Sequence, residues 1–132
     1  MSTNYFNTFI AASADSKAVN GTEPAGADTI AGRQYRLIAD HPYGLTSDDV
    51  LFEVFSLRNA VPESGKAAAR EAFFARSQAC LRASPLVKQF GWGIHHDENG
   101  KVALYGVETE AYRGFLKDKR LTIVHGMRSS RR

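Results

Sequence analysis

Apolar and polar positions alternate early in the chain. Residues 5–12, YFNTFIAA, put Phe6, Thr8 and Ile10 on one parity and Tyr5, Asn7 and Phe9 on the other. That pattern predicts a strand with both faces partly covered. The period then vanishes. Residues 13–27, SADSKAVNGTEPAGA, carry Ser, Gly, Pro and Ala without a repeat, and about fifteen residues is long for a connection inside a compact domain. They predict a flexible or functional loop.

From residue 29 the period becomes helical. Ala31, Tyr35 and Ile38 recur at i, i+4 and i+7, with Ile30 and Leu37 beside them. Asp28 is placed to cap the start, and Pro42 and Gly44 in the turn HPYG end the helix. A second stripe, Val50, Val54, Leu57 and Val61, follows Thr46 and Ser47, either of which can cap it. Asp48 and Asp49 suit the positive end of its dipole. The β-branched and aromatic residues from Phe52 onward also suit a strand. Residues 66–76, KAAAREAFFAR, predict a third helix on alanine propensity, anchored by Phe73 and Phe74.

Residues 90–106, FGWGIHHDENGKVALYG, read as a β-hairpin. DENG suits a type I turn with Glu98 and Asn99 central and Gly100 in the left-handed region, flanked by Asp97 and Lys101. The register follows: His96 faces Val102, His95 faces Ala103, Ile94 faces Leu104, Gly93 faces Tyr105, and Trp92 faces Gly106. Alternation puts Phe90, Trp92, Ile94 and His96 on a core face with Val102 and Leu104. Gly91, Gly93, His95 and Asp97 share the other face with Lys101, Ala103 and Tyr105. Beyond the hairpin, Thr109 caps a short helix with Tyr112, Phe115 and Leu116 inward, and LTIVH from Leu121 adds a last strand. The expected architecture is α+β in one domain over residues 1–132, with a small, mainly antiparallel sheet and helices packed on one face.

Composition agrees with a folded chain: 43% of residues are hydrophobic and 23% charged, far from the charge-rich, apolar-poor mix of disorder. The single cysteine, Cys80, excludes an intrachain disulfide and a Cys-rich zinc framework. No apolar run reaches the roughly 18 residues of a membrane span, and no basic-then-apolar leader opens the chain. The expectation is a cytoplasmic protein with no membrane partner. The net charge of +3 is concentrated near the end, in Lys119, Arg120, Arg128, Arg131 and Arg132. A basic tail at 128–132 can hold nucleic-acid phosphates, but it lacks the interleaved aromatics of an RNA-binding sheet. A solvated terminus is the simpler reading.

The adjacent histidines raise the question of a metal or catalytic centre. In the expected register they diverge, so one ion held by both would need a bulge, and neither H-E-x-x-H nor H-x-x-x-H spacing occurs. No metal and no cofactor is expected. On the second hairpin face, Gly91 and Gly93 could floor a shallow pocket beside His95 and Tyr105, unless Tyr105 simply covers Gly93. Upstream, CLRASPLVK offers Arg82 and Ser84 as donors for a carboxylate or phosphate, with Pro85 stiffening the segment. Cys80 with His95 as its base would be a nucleophilic pair. The phosphatase-type loop needs an arginine six positions after the cysteine, where this chain has Leu86, and G-x-S-x-G, G-x-G-x-x-G and Walker loops are absent. A buried, structural thiol is the simpler role for Cys80.

Taken together, NYFNTFI, HPYGLTSDDVLFEVF, CLRASPLVKQFGWGIHHDENGKVALYGVE and MRSSRR resemble a small microbial family of unknown function over nearly the whole chain. The resemblance implies one intact domain and carries no catalytic residues with it. The functional expectation is therefore a module binding an anionic small molecule or peptide near Arg82, Ser84, His95 and Tyr105. The alternatives are a small enzyme using Cys80 or His95 and a nucleic-acid binder using the tail.

Overall fold

The computed structural model describes residues 1–129. The elements run β1 (Thr8–Ala11), α1 (Ile30–Asp40), α2 (Ser47–Arg58), α3 (Lys66–Ala75), α4 (Pro85–Lys88), β2 (Trp92–His96), β3 (Val102–Gly106), α5 (Glu110–Leu116) and β4 (Thr122–His125). The fold is α+β, with a four-stranded sheet in the order β3-β2-β1-β4. β1–β2 and β2–β3 are antiparallel, while β1–β4 is parallel.

The hairpin has the expected register at all five pairs, from Trp92 opposite Gly106 to His96 opposite Val102. Gly100 takes φ +80, as its turn position requires. The Asp97 carboxylate locks the turn, its Oδ1 accepting from the backbone N–H of Asn99 at 2.8 Å and of Lys101 at 2.9 Å. The first strand begins later than its alternation predicts, because Asn7 turns to φ +48. Its N–H still donates to the Asp97 carbonyl at 3.0 Å, so the chain stays joined to the hairpin before the strand proper starts.

Thr29, not Asp28, caps α1, its side chain accepting from the N–H of Gly32. Asp28 instead pairs with Arg33 at 3.6 Å. α2 opens on a capping box between Thr46 and Asp49, which satisfies two N-terminal donors reciprocally. The helix runs through Phe52 to Arg58, so the strand alternative there is not realised. Its buried side is Val50, Phe52 and Val54, and Leu57 is 47% exposed. The first residues clasp the same helix end: the Thr3 N–H donates to Asp48 Oδ1 at 2.7 Å, and Asn4 Oδ1 accepts from the Asp48 N–H at 2.9 Å.

Helices lie on both sides of the sheet, not on one as expected. On the first face Ile10, Ile94 and Val102 pack with Ile38 of α1, Val50 of α2, and Leu81, Leu86 and Val87 around α4. On the second, α5 brings Tyr112 onto Phe9 and Ala11, with Phe115, Leu121 and Ile123 around them. A strand with Phe9 and Ile10 both fully buried must be covered twice. Leu116, expected to point inward from α5, is 41% exposed.

The 13–27 segment is tied down as a strap over the start of the hairpin. The Thr22 N–H donates to the Phe90 carbonyl at 2.9 Å, Trp92 Nε1 donates to the Thr22 carbonyl at 2.8 Å, and the Gly21 N–H donates to Glu108 Oε1 at 2.9 Å. Among the described residues no helix is long and apolar enough to cross a membrane.

Candidate functional site at His95

Strand alternation sends the two histidines apart. His96 is fully buried on the first face, edge-on to Tyr5 with ring centroids 5.5 Å apart. Burial pushes its pKa down to about 4. His95 points to the second face, where α5, capped by Thr109, lays the Phe115 ring flat against it at 4.3 Å and 16°. Burial lowers the His95 pKa also, against the opposing pull of Asp97 and Asp118, which favours the neutral imidazole.

What fixes this ring comes from the turn between α1 and α2. Tyr43 sits at φ +58, a region a bulky residue occupies only where its surroundings impose it. Its N–H donates to the Val102 carbonyl at 2.9 Å, which hooks the turn over the free edge of β3. From there its hydroxyl reaches both His95 Nδ1 and the Tyr105 hydroxyl, each at 2.8 Å. Burial, and then the bond to Tyr105, raises the Tyr43 pKa far out of the physiological range, so it stays a neutral phenol. The hydroxyl chain can be written in either direction. With Tyr105 donating to Tyr43 and Tyr43 to Nδ1, the imidazole carries its proton on Nε2. Reversed, Nδ1 donates and Nε2 becomes an acceptor.

Beside His95 lies a cleft of about 270 Å³ bordered by Asn7, Asp97, Phe115, Asp118 and Leu121, with Glu98 and Arg120 at its rim. Three of these residues are acidic against one arginine, and Arg120 is already engaged. Its Nε and a terminal nitrogen bond the two Asp118 oxygens at 3.1 and 3.0 Å, and that contact lowers the Asp118 pKa. The cleft therefore carries net negative charge. Asn7 and Tyr43, two of the three non-glycine residues with positive φ among the described residues, both stand at this site.

The four residues expected to form a binding site lie in three places. His95 and Tyr105 are joined through Tyr43. Ser84 lies across the sheet, buried between α1 and α4. Its hydroxyl accepts from the Leu86 N–H and donates to Gln34 Oε1 at 2.5 Å. Arg82 lies along the β4 edge, its Nε donating to the His125 carbonyl at 2.7 Å while its own carbonyl accepts from the Met127 N–H at 2.7 Å.

Gly91 and Gly93 floor no pocket. A side chain at Gly93 would meet the rings of Phe9 and Tyr112, and Gly91, at φ +80, lies against the Asn20 carbonyl. Trp92 packs against the first-face core, as its parity requires. Cys80 is only partly buried, and its thiol bonds the Tyr5 hydroxyl at 3.3 Å, not His95. Of the basic tail, residues 130–132 lie outside the described residues. The N–H of Ser129 donates to Asp15 Oδ2 at 3.1 Å.

Sequence reasoning missed Tyr43, Asn7, Phe115 and Asp118 as site residues. Only Phe115 carried a usable signal, its helical spacing from Tyr112, and that signal spoke of packing. No curated protein and no solved structure matches the chain. A family model does match, over residues 1–132, and the chain belongs to that family, described as a family of unknown function (DUF6157).

Proposed function

We propose that the chain is a small-ligand-binding module whose ligand occupies the cleft beside His95 and presents a cationic or hydrogen-bond-donating group to Asp97 and Glu98. The observation that carries this reading is the Tyr43 bridge. A bulky residue is held in a left-handed conformation so that one hydroxyl can set the imidazole of His95 between Phe115 and a cleft. Backbone strain of about 1–3 kcal/mol concentrates where a site depends on the geometry it secures. The anionic ligand expected from the sequence relied on Arg82 and Ser84 reaching the same space as His95. With Ser84 across the sheet and three acidic residues at the cleft, the charge argument favours a cation.

The reversible hydroxyl chain also supports a second reading, in which His95 acts as a general acid–base toward a bound substrate. An enzyme pairing Cys80 with His95 has no such support, because the thiol is bonded to Tyr5.

The test is a ¹⁵N-resolved titration with matched small probes: alkyl amines and guanidines in one arm, carboxylates and phosphate in the other. Cationic probes are expected to shift the His95, Asp97 and Asp118 signals saturably. Shifts produced only by the anionic arm, or no shift at the cleft in either arm, would overturn the reading.

A further inference from the structure

Away from the His95 cleft, α3 stands out because none of its residues is buried, although it carries Phe73 and Phe74. Phe73 joins a ring cluster with Phe52 and Phe55 of α2, at centroid distances of 5.8 and 4.8 Å. Between this cluster and α1 runs a groove of about 240 Å³, walled by Ile30, Leu51, Val54, Phe55 and Phe73, with Arg58 at its side. Ile30 is 40% exposed there.

The polar residues of this groove divide sharply. Gln34 Oε1 is taken by Ser84, Asn59 donates to the Phe55 carbonyl at 2.9 Å, and Gln78 donates to the Phe73 carbonyl at 2.7 Å. The last two close the carbonyl ends of α2 and α3, as helix termini require. That leaves Arg58. It forms no ion pair among the described residues, and no acidic residue lines the groove. The nearby cations Lys66 and Arg70 are committed to Glu53 and Glu63, and to Asp49.

We infer that this groove docks a peptide segment of a partner protein that offers one or two large apolar side chains to the Phe55–Phe73 wall and a carboxylate to Arg58. Apolar surface flanked by one cation without a carboxylate partner is what an acidic-apolar segment complements. A basic or uncharged segment would leave Arg58 unanswered at the rim of a desolvating contact. The proposal is independent of the His95 cleft, which the groove does not touch.

The experiment is selection of binders to the full chain from a displayed peptide library unbiased in charge, followed by ¹⁵N mapping of the enriched peptides. The expected result is enrichment of sequences with Leu, Phe or Trp beside Asp or Glu, which shift the signals of Ile30, Val54, Phe55 and Phe73. Arg58→Glu should weaken those peptides by roughly fivefold or more and favour versions in which the acid is replaced by Lys. Arg58→Gln, which keeps the aliphatic contact, controls for packing. Enriched peptides that are basic or neutral, that map elsewhere, or that ignore Arg58→Glu would overturn the proposal, as would enrichment of nothing. Concentration-dependent dimerisation through the groove would assign it to a second copy instead, and saturable binding to anionic vesicles that shifts the same residues would assign it to a membrane surface.

Discussion

The Tyr43 hydroxyl lies 2.8 Å from His95 Nδ1, and this contact joins a turn between two helices to β2, an inner strand of the sheet. Tyr43→Phe keeps the ring and the backbone conformation but removes the shared hydroxyl, leaving a partly buried imidazole nitrogen and the Tyr105 hydroxyl without it. The expected loss is about 1–3 kcal/mol, read from urea unfolding. The ¹⁵N shifts of the His95 ring should change at the same time, as its tautomer is no longer set by the bridge. An unchanged tautomer pattern would remove Tyr43 from the site.

The His96 imidazole makes stability depend on acid. Its pKa is about 4 in the fold and near the ordinary 6.5 when unfolded, so between those values the unfolded chain binds the extra proton. Stability is therefore full above about pH 6.5 and falls as pH drops toward 4, by about 3 kcal/mol. His96→Leu, which retains the volume without the proton, should flatten that segment of the curve. Thermal melts from pH 7.5 to 4 measure it, and parallel curves for the two proteins would refute the assignment.

Gly32 sits inside α1, where alanine would ordinarily be favoured by about 1 kcal/mol. A Cβ at this position would overlap the Gly26 carbonyl and lie 3.2 Å from Ala27 Cα. Backbone cannot step aside as a flexible side chain can, so Gly32→Ala is expected to destabilise the protein, by about 1–3 kcal/mol. A stabilised variant would show that the end of the 13–27 strap yields easily.

Arg82→Ala tests where that residue belongs. Losing the Nε bond to the His125 carbonyl should lower stability by about 1 kcal/mol and leave probe binding at the His95 cleft unchanged. A selective loss of binding with full stability would return Arg82 to the site.

The hairpin was legible because two local rules agree on it: side chains alternate with period two, and Gly100 suits the left-handed turn position. The face assigned to each histidine followed at once. α4 was not read, since four residues carry no period, although Ser84 before Pro85 is a helix-start signal and Ser84 does cap it. The role of Tyr43 was not legible at all. Nothing in HPYG announces that its tyrosine, rather than its glycine, takes the positive φ. Nor does any short-range pattern specify which distant strand lies beside β1. For the same reason, Arg82 and Ser84 were grouped with His95 on chain proximity, whereas the sheet stands between Ser84 and the cleft.

The parallel pairing of β1 with β4 joins Thr8 to Thr122 and Ala11 to His125, so a strand near the beginning of the chain acquires its second neighbour only from residues more than a hundred positions later. During synthesis on a ribosome, β1 must wait for more than a hundred further residues before both its edges are satisfied. Until then it presents an unpaired edge that includes Phe9 and Ile10, the kind of segment that joins other chains. Chains interrupted before residue 122 should consequently aggregate or recruit chaperones, because only β4 covers that edge of β1.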